Sequence, residues 1–306
     1  MIRMPGNSYR GPLPPMSEYE LALHENLRHN VDALAGMIGE RNLATYHNLT
    51  AAVAFLAGAF EQCGYAVQYQ DYVVGQLPCS NLEVELRGHA RPDEIVLIGA
   101  HYDSVRGCRG ANDNATGVAA LLALARAFAG RRPARTLRFV AFVNEEPPYF
   151  QTEAMGSVVY AQRSRARRER IVAMLSLETI GYYADEPGSQ AYPFPLNLVY
   201  PAQGNFIGFI GNLASRRLVR TAIAAFRRRT SFPSEGAVLP AAVPGVGWSD
   251  QWAFWQQGYP GLMVTDTALF RYPYYHTTAD TPDKVDYLRL ARVVGGLEHV
   301  IEELSG

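Results

Sequence analysis

Four apolar runs of this chain each lead to a histidine or a carboxylate, and that repeated ending constrains the fold more than any other feature. Glu94–His101 is rich in Ile, Val and Leu and closes on His101-Tyr-Asp103. Thr136–Asn144 (TLRFVAFVN) runs into Glu145-Glu146, and Ile171–Thr179 (IVAMLSLET) carries Glu178 near its end. Leu262–Asp266 is followed by a loop that contains His276. Short apolar runs bounded by turn residues read as strands buried on both faces. Helical patterns lie between them: Val118–Ala129, Ala154 to about Arg168, and Leu213–Arg229. Strand and helix in alternation is the pattern of a parallel sheet with helices on both faces. Ligands of such sheets bind beyond the carboxyl ends of the strands. His101, Asp103 and the Asp113 that opens the helix after the first run are therefore where chemistry is expected, with Glu145, Glu146, Glu178 and His276 ending other runs in the same way.

The remaining segments are consistent with one unit. A helical pattern starts at Ser17 and carries Leu21, Leu23, Leu27, Val31, Leu34 and Ile38; a second runs from about Leu49 to Cys63, with Gly64 where a terminating glycine belongs. Ala66–Val74 and Asn81–Arg87 read as strands separated by turn residues. Trp252–Gln257 is a short helix, Ala268–Pro282 a loop, and Tyr287–Leu304 an amphipathic closing helix. The stretch 185–212 is rich in Pro, Gly, Tyr and Asn, with short apolar runs at 196–200 and 206–210, and 230–247 is loop-rich. Together 185–245 has the character of a lid or an oligomer contact. Residues 1–17 form a Pro- and Gly-bearing irregular arm, and 18–306 one domain. The expected architecture is a single-domain three-layer α/β/α sandwich around a mixed, largely parallel central β-sheet.

Composition excludes few function classes but weighs against some. With a net charge of −1, no global field favours nucleic acid or an anionic membrane. The runs Arg163–Arg170 and Arg216–Arg228 read as solvated helix faces. No run approaches the ~20 apolar residues of a membrane span. Cys63, Cys79 and Cys108 lack C-x-x-C spacing, and their odd number does not indicate a disulfide framework. The N-terminal segment shows no apolar stretch of the secretory type. A cytoplasmic protein is the default expectation; a secreted or periplasmic one whose signal had been removed would look the same.

Singly, each polar residue has an ordinary explanation. A histidine at a strand end is commonly a hydrogen-bonded structural residue, and Asp113 before a helix would serve as an N-cap. Together they say more. Pro147-Pro148 fix the backbone after Glu145-Glu146, and Glu178 lies in an otherwise buried run. A buried, unpaired carboxylate is costly and requires a cation. Histidines and carboxylates converging on one sheet edge form the nitrogen-and-oxygen ligand set of zinc, with no cysteine required.

At this point the residue order resembles a known family. His101-x-Asp103, the loop GANDNATG (Gly110–Gly117) and Asn144-Glu145-Glu146 resemble, in this order, the co-catalytic di-zinc aminopeptidases of the aminopeptidase S and Y type, which include bacterial leucine aminopeptidases. So do Met155-Gly-Ser157, Leu177–Tyr182, Ser249-Asp-Gln-Trp252 and Asp266–Thr277. The resemblance spans about residues 80–290. It implies a zinc exopeptidase fold and two zinc ions, with one possible. Asp113 would bridge them, His101 and Glu178 would complete one site, and Glu146 and His276 the other. Glu145 would be the general base, Asp103 would orient the His101 ring, and Tyr275 would polarise the scissile carbonyl. Many relatives carry aspartate where this chain has Glu178, which bears on the metal count. The implied substrate is a peptide with a free N-terminus, with Tyr149, Phe150, Phe270 and Tyr272 as candidate walls of a pocket for its first residue. The oligomeric state is open.

Three other readings remain, the first a metallo-carboxypeptidase, whose relatives commonly carry a separate dimerisation domain for which this chain has little room. Glutaminyl-peptide cyclotransferases resemble this family in fold and much of the ligand set, and work with a single zinc. They typically place tryptophan before the last histidine, where this chain has Tyr275. A non-catalytic binding protein on the same scaffold is the third reading, although such proteins usually lose ligands and every ligand position here holds a competent side chain.

Overall fold

The structure, a computed structural model, describes residues 3–306. The strands are β1 (Gln68–Val74), β2 (Leu77–Leu86), β3 (Arg91–His101), β4 (Arg135–Phe142), β5 (Arg170–Glu178), β6 (Ile207–Gly211), β7 (Ser234–Val238) and β8 (Gly261–Thr265). The helices are α1 (Glu18–Val31), α2 (Tyr46–Gln62), α3 (Gly117–Phe128), α4 (Gly156–Ala166), α5 (Arg216–Arg229), α6 (Gln251–Gln256), α7 (Ala268–Arg271) and α8 (Tyr287–Ser305). All eight strands join one sheet in the order β1-β2-β4-β3-β5-β8-β6-β7. The central strands β4, β3, β5 and β8 run parallel, while β1, β2 and the β6–β8 pairing are antiparallel. The sheet is thus mixed and largely parallel at its centre, as the sequence pattern implies.

Alternation along β3 shows how the layers form. Val96, Ile98 and Ala100 belong to the larger core beneath α1, α2, α3, α5 and α8. Ile95 and Leu97 point the other way, into a smaller core with Tyr160 of α4 and Phe254 of α6. Successive residues of a strand face opposite sides, so a continuously apolar strand is what two covered faces require.

Local outcomes differ from the sequence reading, and one is α7, which occupies the first residues of the expected 268–282 loop. The first helix is α-helical only to Val31, and a wider π-type turn continues over Asp32–Ile38. The loop-rich stretch before residue 247 contains β7, and the 206–210 run is β6. Leu43–Gln62 is by length and composition apolar enough to cross a membrane. In the fold one face of this helix packs on the core, burying Leu49, Ala52, Leu56 and Phe60. The arm is irregular, and it straps the outer strand: Ser8 Oγ accepts the Ser234 N–H at 2.9 Å, and Arg227 donates to Pro5 and Gly6 carbonyls. That contact caps part of an edge that would otherwise be unpaired.

Candidate active site

The carboxyl ends of β3, β4 and β5 bring their polar termini together. His101 closes β3, buried at 1% exposure. Its Nε2 lies 3.4 Å from Asp113 Oδ1 and 3.3 Å from Glu178 Oε2. His276 arrives on the loop after α7, and its Nε2 lies 3.1 Å from Asp113 Oδ2 and 3.2 Å from Glu146 Oε2. Two three-residue groups result, His101–Asp113–Glu178 and Asp113–Glu146–His276, each compact enough to hold one metal ion. Asp113 belongs to both, presenting a different oxygen to each. Glu145 belongs to neither; its Oε2 stands 3.9 Å from His101 Nε2.

Each ligand is fixed by its neighbours. Asp103 accepts the backbone N–H groups of Glu145 and Glu146, one on each oxygen, at 3.1 Å. Its Oδ1 also lies 3.6 Å from His101 Nδ1, so one carboxylate holds the β3 and β4 termini in register. Glu146 accepts the Val105 N–H on Oε1, leaving Oε2 toward His276. Ser249 donates to Glu178 Oε2 at 2.7 Å. The longer side chain of Glu178 therefore still delivers its carboxylate to the His101 group.

The Asp113 loop is tied down from three directions. Asp280 accepts the N–H groups of Asn112 and Asp113. The Asn112 side chain donates to Asp266 and accepts from Gly181. Asn114 donates to the Leu177 carbonyl and accepts the Thr179 N–H, which joins the loop to the end of β5. Gly117 is required by close approach, because a Cβ there would lie 2.4 Å from the Leu177 carbonyl oxygen.

The charge balance calls for a cation. Burial raises Glu145 well above the carboxylate range, and Glu178, Glu146 and Asp250 add to the shift. Burial also raises Glu146, to about 8, and Glu178. Asp113 is the exception: burial opposes its ionisation, but the two flanking histidines hold it below the ordinary aspartate range. Against the opposing effect of burial, Asp113 and Glu146 raise His276 to about 10. His101 Nε2 is fully buried without a hydrogen-bond partner and faces carboxylates. An orphaned ring nitrogen facing buried carboxylates is the donor set zinc resolves, since its ligands bind deprotonated. The residues fit the metal.

Beside this cluster opens a largely apolar cavity of about 100 Å3. Glu178 and Tyr275 stand at the metal-ligand end, and Ile210, Ala237, Met263 and Phe270 are among its apolar walls. The segments 192–206 and 239–248 contribute to its walls, so the stretch 185–245 takes part in a pocket. Of the four candidate aromatics, Phe270 lines the cavity. Tyr272 is buried and donates its hydroxyl to Asp280, which makes it a support for the Asp113 loop. Tyr149 and Phe150 lie outside the cavity lining. The Tyr275 ring stacks on His276, with centroids 3.9 Å apart.

Several contributors escaped the sequence reading. Asp280 follows His276 by four residues in the same loop, and that spacing is the signal the sequence offers. Asp250, next to Ser249, is fully buried with both oxygens unpartnered. Arg41, fully buried, gave no signal at all.

Comparison with known proteins agrees with this geometry. The sequence model of Peptidase family M28 matches residues 81–300. The chain belongs to this peptidase family. It is 35% identical over 283 residues to a protein of Escherichia coli (strain K12) described as uncharacterized protein YfbL, with 89% of this chain and 86% of that one covered. It is 31% identical to an aminopeptidase of Pseudomonas aeruginosa over 160 residues, which span 52% of this chain but only 27% of that larger protein. Two solved structures share the fold. One is a zinc aminopeptidase from Bacillus subtilis (TM-score 0.70, 14% identity, covering 92% of this chain and 95% of that one). The other is a glutaminyl cyclase from Fimbriiglobus ruber (TM-score 0.69, 20% identity, covering 96% and 98%). Family and ligand set together make this a zinc-dependent peptidase acting on peptides.

Proposed function

We propose that the protein is an aminopeptidase, removing N-terminal residues from peptides that carry a free α-amine. The observation that carries this reading is the sharing of Asp113 between two complete ligand groups, with Glu145 close to His101 yet outside both. His101, Asp113 and Glu178 would hold one zinc, and Asp113, Glu146 and His276 the other. Bound zinc supplies a water of lowered pKa and draws charge from a carbonyl oxygen.

Glu145 then acts as the base. As a carboxylate free of metal coordination it takes the water proton on Oε2 and passes it to the leaving amine. Tyr275, at the junction of cavity and ligands, keeps its phenol protonated because burial and nearby carboxylates raise it, and so it has a proton to offer the scissile carbonyl oxygen. The apolar cavity takes the side chain of the first residue, and Glu145 and Glu178 are carboxylate partners for its α-amine. The apolar lining of the cavity favours apolar first residues.

The glutaminyl cyclases share the fold closely enough to keep cyclisation as the second reading. A mass-spectrometric digest of free, N-acetylated and N-terminal-glutamine peptides, with zinc supplied, separates the two. Stepwise shortening of free peptides alone is the expected result. Loss of ammonia from glutamine peptides with nothing shortened makes the protein a cyclase.

A further inference from the structure

Arg41 lies on the chain before the residues that match the family, and it is buried to 0% exposure. Among the described residues its guanidinium makes no hydrogen bond to a carboxylate. Instead Nε donates to the Tyr102 carbonyl at 2.8 Å, and Nη1 to the carbonyls of Leu34, Gly39 and Arg109 at 3.0, 2.8 and 2.6 Å. Nη2 donates to the Gly110 carbonyl at 3.0 Å. The backbone of Arg41 is pinned as well: its N–H donates to Ser104 Oγ, and its carbonyl accepts the Ser104 N–H.

Those partners fall on two segments that must meet at the metal site. Tyr102 and Ser104 flank Asp103 just beyond the end of β3, immediately after His101. Arg109 and Gly110 begin the loop that carries Asp113. We propose that Arg41 is a positioning residue for the zinc site, its planar fork setting the separation between the His101 strand end and the Asp113 loop. This rests on the dinuclear zinc reading above.

A guanidinium suits the task because its donors spread in a fixed plane and reach several acceptors at once, whereas a lysine ammonium is a point. A lone buried cation is costly. Here burial lowers Arg41 to about 10, while Asp103, Asp280, Asp113 and Glu146 pull the other way. The charge is therefore tolerated because it lies behind the site's own acids. The junction is also sterically closed: Gly110 sits at φ +62°, and a Cβ there would come 2.3 Å from the Asp113 carbonyl oxygen and 3.1 Å from Arg41 Nη2.

The test is zinc affinity by chelator competition on folded wild-type protein, Arg41→Lys and Leu27→Ala. Leu27 is a buried α1 residue and serves as a destabilised control. Arg41→Lys keeps the charge and loses the fork. It is expected to weaken zinc binding by ~10–100-fold, the range for groups that support metal ligands, while Leu27→Ala loses melting temperature with zinc affinity unchanged. Gly110→Ala attacks the same junction from the loop side and is expected to weaken zinc in the same direction, which keeps the test available should Arg41→Lys fold poorly. Wild-type affinity in both junction variants, or an equal loss in the Leu27 control, overturns the proposal. A wild-type chain that binds no zinc at all overturns the dinuclear reading as well, so the two failures are told apart by the first sample.

Discussion

The ligand wall of the site and the cavity beside it are built by different means. On the ligand wall, Asp103, Asp280, Asn114 and Ser249 each fasten a candidate ligand, its backbone or the residues beside it with hydrogen bonds of 3.1 Å or less. The cavity wall is apolar and comes from loops together with β6, β7 and β8, the side of the sheet whose outer strand is held by the arm. Metal chemistry requires atoms fixed within a few tenths of an ångström, which buried, fully bonded polar groups provide. Choosing among first residues requires only shape and apolar area, worth much less per contact. Damage to the first wall should therefore abolish turnover or metal, and damage to the second should redirect selectivity.

The largest effect tests the ligand wall without removing a ligand. Glu145→Gln should retain fold and zinc while kcat falls by ~10²–10⁴-fold, the usual worth of a positioned base. Steady-state rates with parallel metal analysis check this; a variant near the wild-type rate would assign the base elsewhere. A smaller and selective effect is expected across the cleft. Ala237 lines the cavity, so Ala237→Phe should lower kcat/KM for peptides with large apolar first residues by ~10–200-fold. Alanyl peptides and zinc content should be little changed, and an equal loss on both substrates would break the division between the walls.

The smallest effect concerns pH and the metal-free protein. Burial raises Asp266 to about 7, with Arg271 opposing, while an unfolded aspartate titrates near ~3.9. The folded state thus holds this proton more tightly. Its contribution to stability is complete below pH ~4 and is lost as pH rises through about 7. Asp266→Asn should flatten that decline in denaturant unfolding of the apo-protein between these values. An unchanged slope would mean that Asp266 does not titrate there.

The same division governs what could be read in the sequence. β3, β4, β5 and β8 were legible because each is a short apolar run ending at a ligand or leading into a ligand-bearing loop. The candidate ligands stood out because histidines and carboxylates end these runs, and their individual roles came from the family resemblance. β7 was not legible: Ser234-Glu-Gly-Ala-Val238 lies between Pro233 and Pro240, and it becomes a strand by pairing with β6. Tyr272 looked like a pocket wall because aromatic character does not reveal direction; its hydroxyl instead turns to Asp280. Arg41 was invisible because its partners are backbone carbonyls, which carry no residue-type signature, and those of Tyr102, Arg109 and Gly110 come from segments distant in the chain.

The central claim is that Asp113 serves two metal ions at once, and metal stoichiometry tests it most directly. Purified protein equilibrated with zinc, freed of excess and measured by elemental mass spectrometry should carry two ions per chain. His276→Ala should keep one, since only the Asp113–Glu146–His276 group loses a ligand. Asp113→Ala should lose both, because each group loses the same residue. Retention of one zinc at wild-type affinity in Asp113→Ala would contradict the shared ligand and with it the two-metal account.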